Sequence, residues 1–190
     1  MKALLQAEHL CAGYGRGDVI HDVSFSLGEG ELCALLGGNG SGKTTLLRAV
    51  STLLPGKGSL LLDGHPLSAL SRRERARRMG YLAQGGHMTL ALPVLDVVLM
   101  GFNPELGLLE SPGASHCRRA MEALEWVGMA HLATLPFQSL SQGQKQLCLF
   151  ARTLVCRPEL LILDEPDSAL DFPNRSRMME RLKDYLRREK

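Results

Sequence analysis

The run Gly37-Gly38-Asn39-Gly40-Ser41-Gly42-Lys43-Thr44 constrains the fold of this chain more than any other segment. It fits GxxxxGK[ST] in full. The short apolar run Glu31–Leu36 precedes it and reads as a fully buried strand. A helical pattern, Thr45–Leu54, follows and is closed by Pro55 and Gly56. A glycine-rich turn between a strand and a helix aims successive backbone N–H groups into one concavity, and the helix N-terminus adds partial positive charge. Such a loop cradles phosphates and commits the chain to an α/β architecture. Lys43 is expected to reach the β- and γ-phosphates, and the Thr44 hydroxyl to ligate Mg²⁺.

A second apolar run, Leu160–Leu163, ends in Asp164 and Glu165, followed by Pro166. An isolated acid pair at a strand end is ordinarily just solvated. In a chain with a phosphate loop, Asp164 suits the shell of Mg²⁺ and Glu165 suits a general base that polarises the attacking water. Between these motifs lies Leu140-Ser141-Gln142-Gly143-Gln144, which opens a helix over Ser141–Cys156. Ser141 can simply cap that helix. The same geometry, a hydroxyl and the Gly143 N–H at a helix N-terminus, can also clamp a γ-phosphate.

The rest of the chain arranges itself around these motifs. Ala3–Leu10 and Val23–Leu27 alternate as half-buried antiparallel strands, with Tyr14 exposed on the glycine-rich turn between them. Ser59–Leu62 reads as a strand, Leu70–Arg78 as a helix and Met79–Ala83 as a short strand ending at Gln84. From Val94 to Val127 the pattern is helical, interrupted by Pro104, Pro112 and Gly113, as in an inserted helical segment. Met178–Arg188 is a charged amphipathic last helix. The 190 residues are expected to form one domain, with a nucleotide-binding core at 1–86 and 157–190 and a helical part at about 87–156.

Composition narrows the function classes. A net charge of +2 gives no bulk electrostatic case for nucleic-acid binding. The arginines at 72, 73, 75, 77 and 78 are expected to form a solvated helix face. Five cysteines without a CxxC argue against a disulfide framework, and Cys33 and Cys148 read as buried free thiols of a reducing compartment. No window holds the roughly 18 apolar residues of a spanning helix, so membrane association is expected through a partner.

Taken in order, the phosphate loop, Gln84 in Tyr81-Leu82-Ala83-Gln84, LSQGQ, LLILDEP and Ser168-Ala169-Leu170-Asp171 resemble an ABC transporter ATPase over essentially the whole chain. The resemblance implies ATP and Mg²⁺ as cofactors. Tyr14 would stack on adenine, and Gly37, Gly38, Asn39, Gly40, Ser41, Gly42, Lys43, Thr44 and Thr45 would hold the phosphates. Thr44, Gln84 and Asp164 would serve the metal, and Glu165, Lys43 and Gln84 the chemistry. Ser141, Gly143, Gln144 and Asp171 would act across the interface of a head-to-tail homodimer, closing on ATP bound by the other copy. Gln84 and the loop His87–Leu95 would meet an integral membrane permease at the cytoplasmic face, with a periplasmic or extracellular binding protein engaged indirectly. Val97-Val98-Leu99-Met100-Gly101, Ala130-His131-Leu132-Ala133, Pro136-Phe137 and Leu170-Asp171-Phe172 with Asn174 are similar to the importers of iron-siderophores, haem and cobalamin.

The chain departs from that pattern in places. Gln142 stands where the signature has its first glycine, a change that matters if the backbone there needs positive φ. Asp167 replaces a Thr or Ser and adds negative charge near the expected γ-phosphate. The family's C-terminal strand and its histidine do not follow the last helix, which is expected to leave a sheet edge unpaired. Two rivals therefore stay open. One is a truncated or degenerate ATP-binding subunit with little hydrolysis. The other is a soluble ABC ATPase of DNA repair or translation, against which stand a single cassette and an interval of about a hundred residues without sustained heptads.

Overall fold

The computed structural model describes residues 3–15, 17–84, 91–168 and 170–188. Two compact units divide between Arg75 and Ala76.

The first unit is built on an antiparallel sheet of β1 (Ala3–Ala12), β2 (Ile20–Gly28), β3 (Gly56–Leu62) and β4 (His65–Pro66), in the order β2-β1-β3-β4. Central β1 buries Leu5 and Ala7, then Leu10 and Ala12. Strict alternation would have turned Leu10 to water. Instead His9 adopts a left-handed φ of 51° and the register with β2 shifts between Ala7 and Leu10. The extra residue restores the inward face. Gly58 is required opposite this bulge: its φ is 103°, and a Cβ there would lie 2.5 Å from the His9 carbonyl oxygen. The His9 ring closes the bulge through Nδ1 to the Asp22 carboxylate at 2.6 Å, a contact that raises the imidazole pKa above its ordinary value. Helix α1 (Lys43–Val50) buries Thr45, Ala49 and Val50, and ends before the expected Leu54 because Thr52 turns left-handed at φ 58°.

One expectation fails here. Glu31–Leu36 is not a buried strand: it has no strand conformation, all six residues are exposed, and Leu36 is 88% exposed. A strand exists only where neighbours supply backbone partners, and apolar composition cannot substitute for them. No ladder pairs this run among the described residues. Cys33, expected to be a buried thiol, is exposed for the same reason.

The second unit follows α2 (Arg72–Arg78), which carries the boundary. Strands β5 (Met79–Leu82) and β6 (Leu160–Leu163) pair parallel, from Met79 opposite Leu160 to Leu82 opposite Leu163. Parallel neighbours need a crossover, and here it holds α3 (Val94–Leu99), α4 (Ala114–Trp126) and α5 (Gln142–Leu154). Helix α5 buries Gln146 through Ala151 and Leu154, with α3, α4 and β5 packed around it. A helix buried on nearly every side is the centre of its core; Val97, Phe102, Leu124 and Phe150 join it there. Helix α6 (Phe172–Arg188) begins six residues before the expected Met178.

The arginines of α2 are not a plain solvated face. Arg78 makes two bonds to the Glu159 carboxylate, at 2.8 and 2.6 Å, and Arg77 Nε donates to the Pro104 carbonyl at 2.7 Å. A second arginine fork lies deeper. Arg119 donates to both Glu105 oxygens at 2.8 and 2.9 Å and to the Val155 carbonyl, and its guanidinium stands 4.6 Å from the centre of the Phe102 ring. This guanidinium holds the Glu105 carboxyl below its ordinary pKa. Of the loop expected to face a permease, His87 and the rest of 85–90 lie outside the described residues.

Candidate functional site

The phosphate loop keeps its helix but not its strand. Gly42 caps α1 at φ 89° and ψ 6°, and Gly40 sits at φ 78°. Both are left-handed positions that glycine takes without a Cβ penalty. A Cβ at Gly38 or Gly40 would meet nothing within 4 Å, so that side of the loop is open, as a cradle for phosphate oxygens must be. A Cβ at Gly42 would instead come within 3.1 Å of Ile20 Cγ2. The Lys43 ammonium is tied to its own loop, donating to the carbonyls of Gly37 and Gly38 at 2.8 and 2.9 Å. Those carbonyls hold a cation where an anion could draw it away. Asn39 and Ser41 are exposed, Thr44 is half-buried and Thr45 is buried. Tyr14 is 51% exposed, and its hydroxyl accepts from Arg48 Nη1 at 3.1 Å, which fixes where the ring stands.

In the second unit the two parallel strands deliver the acids. The Asp164 N–H donates to the Leu82 carbonyl at 2.9 Å, extending the ladder one residue past β6. Asp164 is 3% exposed and its Oδ2 accepts from the Tyr81 hydroxyl at 3.2 Å. Glu165 is exposed and left-handed at φ 46°, a strained conformation for a non-glycine residue. The kink separates the two carboxylates, sending one into the core and the other to the surface. Gln84, just beyond β5, donates through Nε2 to Glu165 Oε2 at 2.5 Å. A carboxylate only accepts, so the amide nitrogen must face it, and the Gln84 carbonyl oxygen remains as the group for a cation.

The Thr44 hydroxyl of the first unit, and the Gln84 carbonyl and Asp164 carboxylate of the second, are each hard oxygen donors of the kind Mg²⁺ takes. Among the described residues no group of three His, Cys, Asp or Glu forms a metal cage. A Mg²⁺ held by few protein oxygens and by substrate phosphates does not need one.

Ser141 and Gln144 bond each other. The Gln144 N–H donates to Ser141 Oγ at 3.2 Å, and the Ser141 N–H to Gln144 Oε1 at 2.9 Å. This capping box starts α5. Gln142 and Gly143 occupy its first turn. Gln142 is exposed and not among the residues with positive φ, so the glycine usual at that position is not required by the backbone. Asp171 caps α6, its Oδ1 accepting from the Asn174 N–H at 3.1 Å. The Asp167 carboxylate lies 3.0 Å from Arg175 Nε, so its added charge is offset locally.

Sequence reasoning gave Tyr81 and Arg175 no role. The register of β5 and β6 places the tyrosine: Tyr81 pairs with Ile162, and residues two apart share a face, so Tyr81 stands on the face of Asp164, which strand parity within one segment does not reveal. Nothing in the local sequence ties Arg175 to Asp167 before α6 is known to begin at Phe172.

The model of the ABC transporter family matches residues 20–168. An uncharacterized ABC transporter ATP-binding protein of Haemophilus influenzae is 38% identical over 181 residues, which is 95% of this chain and 69% of that protein. A chain from a protein assigned to the metal-chelate type of ABC transporter, in an inward-facing conformation, superposes with a TM-score of 0.84 at 32% identity, covering 100% of this chain and 70% of its own. CbiO1 from Clostridium perfringens, part of the ABC transporter complex cbiONQ, gives 0.82 at 29% identity, over 99% of this chain and 75% of its own.

Proposed function

This chain belongs to the ABC transporter family, and on that premise we propose that it binds and hydrolyses ATP to power an importer through a separate membrane permease. It would lie at the cytoplasmic face of the membrane. Among the described residues no helix is long and apolar enough to cross one. The observation that carries the hydrolytic reading is the Gln84–Glu165 contact at the ends of two parallel strands, on a backbone kept strained at Glu165.

Each residue has a part in that reading. Tyr14 stacks on adenine. The N–H groups of Gly37 through Thr45 take the phosphate oxygens, and Lys43 leaves its own carbonyls to bind the β- and γ-phosphates. Thr44, Gln84 and Asp164 would hold Mg²⁺, which when bound neutralises charge on the phosphates. Glu165 accepts the proton of the attacking water, while Gln84 keeps that carboxylate oriented. Catalysis is then positioning and charge stabilisation. Ser141, Gly143, Gln144 and Asp171 serve the ATP of a second copy in a head-to-tail dimer. The chain works as one domain, with a core at 1–86 and 157–190 and a helical part at about 87–156. The similarity to a metal-chelate type transporter supports a metal-chelate cargo, of the iron-siderophore, haem or cobalamin kind.

The test is steady-state phosphate release from ATP by the wild type and by Glu165→Gln. Removing a general base is expected to slow turnover by about 10²–10⁴-fold, with nucleotide affinity retained. Hydrolysis by Glu165→Gln at the wild-type rate would overturn the assignment of the base. A wild type that binds ATP without releasing phosphate would make the chain a nucleotide-binding subunit that does not turn over.

A further inference from the structure

Two donors on one strand segment hold the two acids that follow the other. Gln84 holds Glu165, and Tyr81 holds Asp164. We propose that Tyr81 is a positioning residue for the Mg²⁺-bound nucleotide, its hydroxyl fixing the plane of the Asp164 carboxylate at the end of β6.

Asp164 is 3% exposed, so bulk solvent has little access to its carboxylate. The backbone places the residue through the bond from its N–H to Leu82, but a backbone bond leaves the side-chain torsions open. The Tyr81 phenol reaches Oδ2 at 3.2 Å from a strand paired in register with β6, so both ends of the contact ride on one ladder. A phenol is rigid beyond two torsions, and its anchor in a packed strand allows it little travel. Carboxylates that ligate a cation are regularly held by such outer hydrogen bonds, and losing one costs about 10–100-fold in metal affinity. The 3.2 Å length is long for O–H···O, which places the expected effect near the lower end of that range.

The inference rests on the proposed ATP and Mg²⁺ reading, so the test separates the two. ADP affinity of the full chain is measured by calorimetry with Mg²⁺ and again with EDTA, and the ratio of the two affinities is the readout. Tyr81→Phe is expected to lower that ratio about 10-fold and to leave the EDTA affinity unchanged. In an Asp164→Asn background, Tyr81→Phe is expected to change nothing further, as it must if it acts through that carboxylate. A ratio within about twofold of wild type overturns the proposal. So does a loss equal with and without Mg²⁺, or a loss that persists beside Asp164→Asn; each would mark a packing role. Thermal melting of each variant checks folding, and Tyr81→Met replaces Tyr81→Phe if the latter does not fold. Failure of the wild type to bind ADP overturns the function itself, whereas a wild-type Mg²⁺ effect matched by Tyr81→Phe overturns only the role of Tyr81.

Discussion

Gly42→Ala tests whether the loop before α1 is shaped for phosphate or is merely a turn. Gly42 sits at φ 89°, where an L-residue costs about 1–2 kcal/mol. The added Cβ would also stand 3.1 Å from Ile20 Cγ2 and 3.4 Å from Val19 Cγ1, closer than comfortable contact on the first. A few tenths of an ångström of forced movement of the buried Ile20 side chain adds about 1 kcal/mol. The sum is about 2 kcal/mol, which appears either as lost stability or, if the loop relaxes, as a roughly 30-fold loss of nucleotide affinity. Gly38→Ala is the control: its Cβ meets nothing within 4 Å, so stability should change by under about 0.5 kcal/mol. Any affinity it loses would be contact with the ligand alone. Urea denaturation without nucleotide, paired with ADP calorimetry, measures both channels. A Gly42→Ala chain with wild-type stability and affinity would refute the reasoning, because neither the strain nor the cradle would then exist.

Arg119→Met should destabilise the chain by about 2–3 kcal/mol, between the values for exposed and buried pairs, since both partners are about a quarter exposed; urea melts would check this. Glu105 carries the matching pH dependence: its folded pKa is lowered, so its stabilisation is present above the ordinary 4.5 and is lost as pH falls through the lowered value. Melts of the wild type against Glu105→Gln should therefore converge in acid and separate above it. Burial pushes the Cys148 and Cys156 thiols up to about 12, so at pH 8 only about one in ten thousand is thiolate. Iodoacetamide followed by peptide mass spectrometry should find exposed Cys33 alkylated in the native chain, and those two only in denaturant.

The local geometry of the candidate site was legible where its motifs are short. The capping box that Ser141 and Gln144 form is spelled by their spacing, and glycines 40 and 42 announce left-handed turns. The acids at the end of β6 followed from an apolar run ending in charge. What the residues did not reveal depends on partners distant in the chain. The leucines of 31–36 advertise burial, yet a ladder is a property of two strands. The arginines of α2 looked like a solvated face because Glu159 and Pro104, their partners, lie far along the chain. The bulge at His9 escaped detection because an alternating pattern gives no warning of an inserted residue, although Gly58 across the ladder records it. The contacts of Tyr81 and Gln84 with the two acids span more than eighty positions and arise only from the parallel register of β5 and β6.

On the proposed function Ser141 serves the nucleotide of another copy, and mixing two inactive variants tests this. Lys43→Ala disables a subunit's own phosphate loop, and Ser141→Arg disables the signature it offers to its partner. If the signature acts in trans, each variant alone is inactive. A one-to-one mixture then rebuilds one intact site in half of the dimers, about a quarter of the wild-type ATPase rate. A mixture as inactive as its components, with dimers still forming, would contradict the account, because the signature would then act on its own subunit's loop.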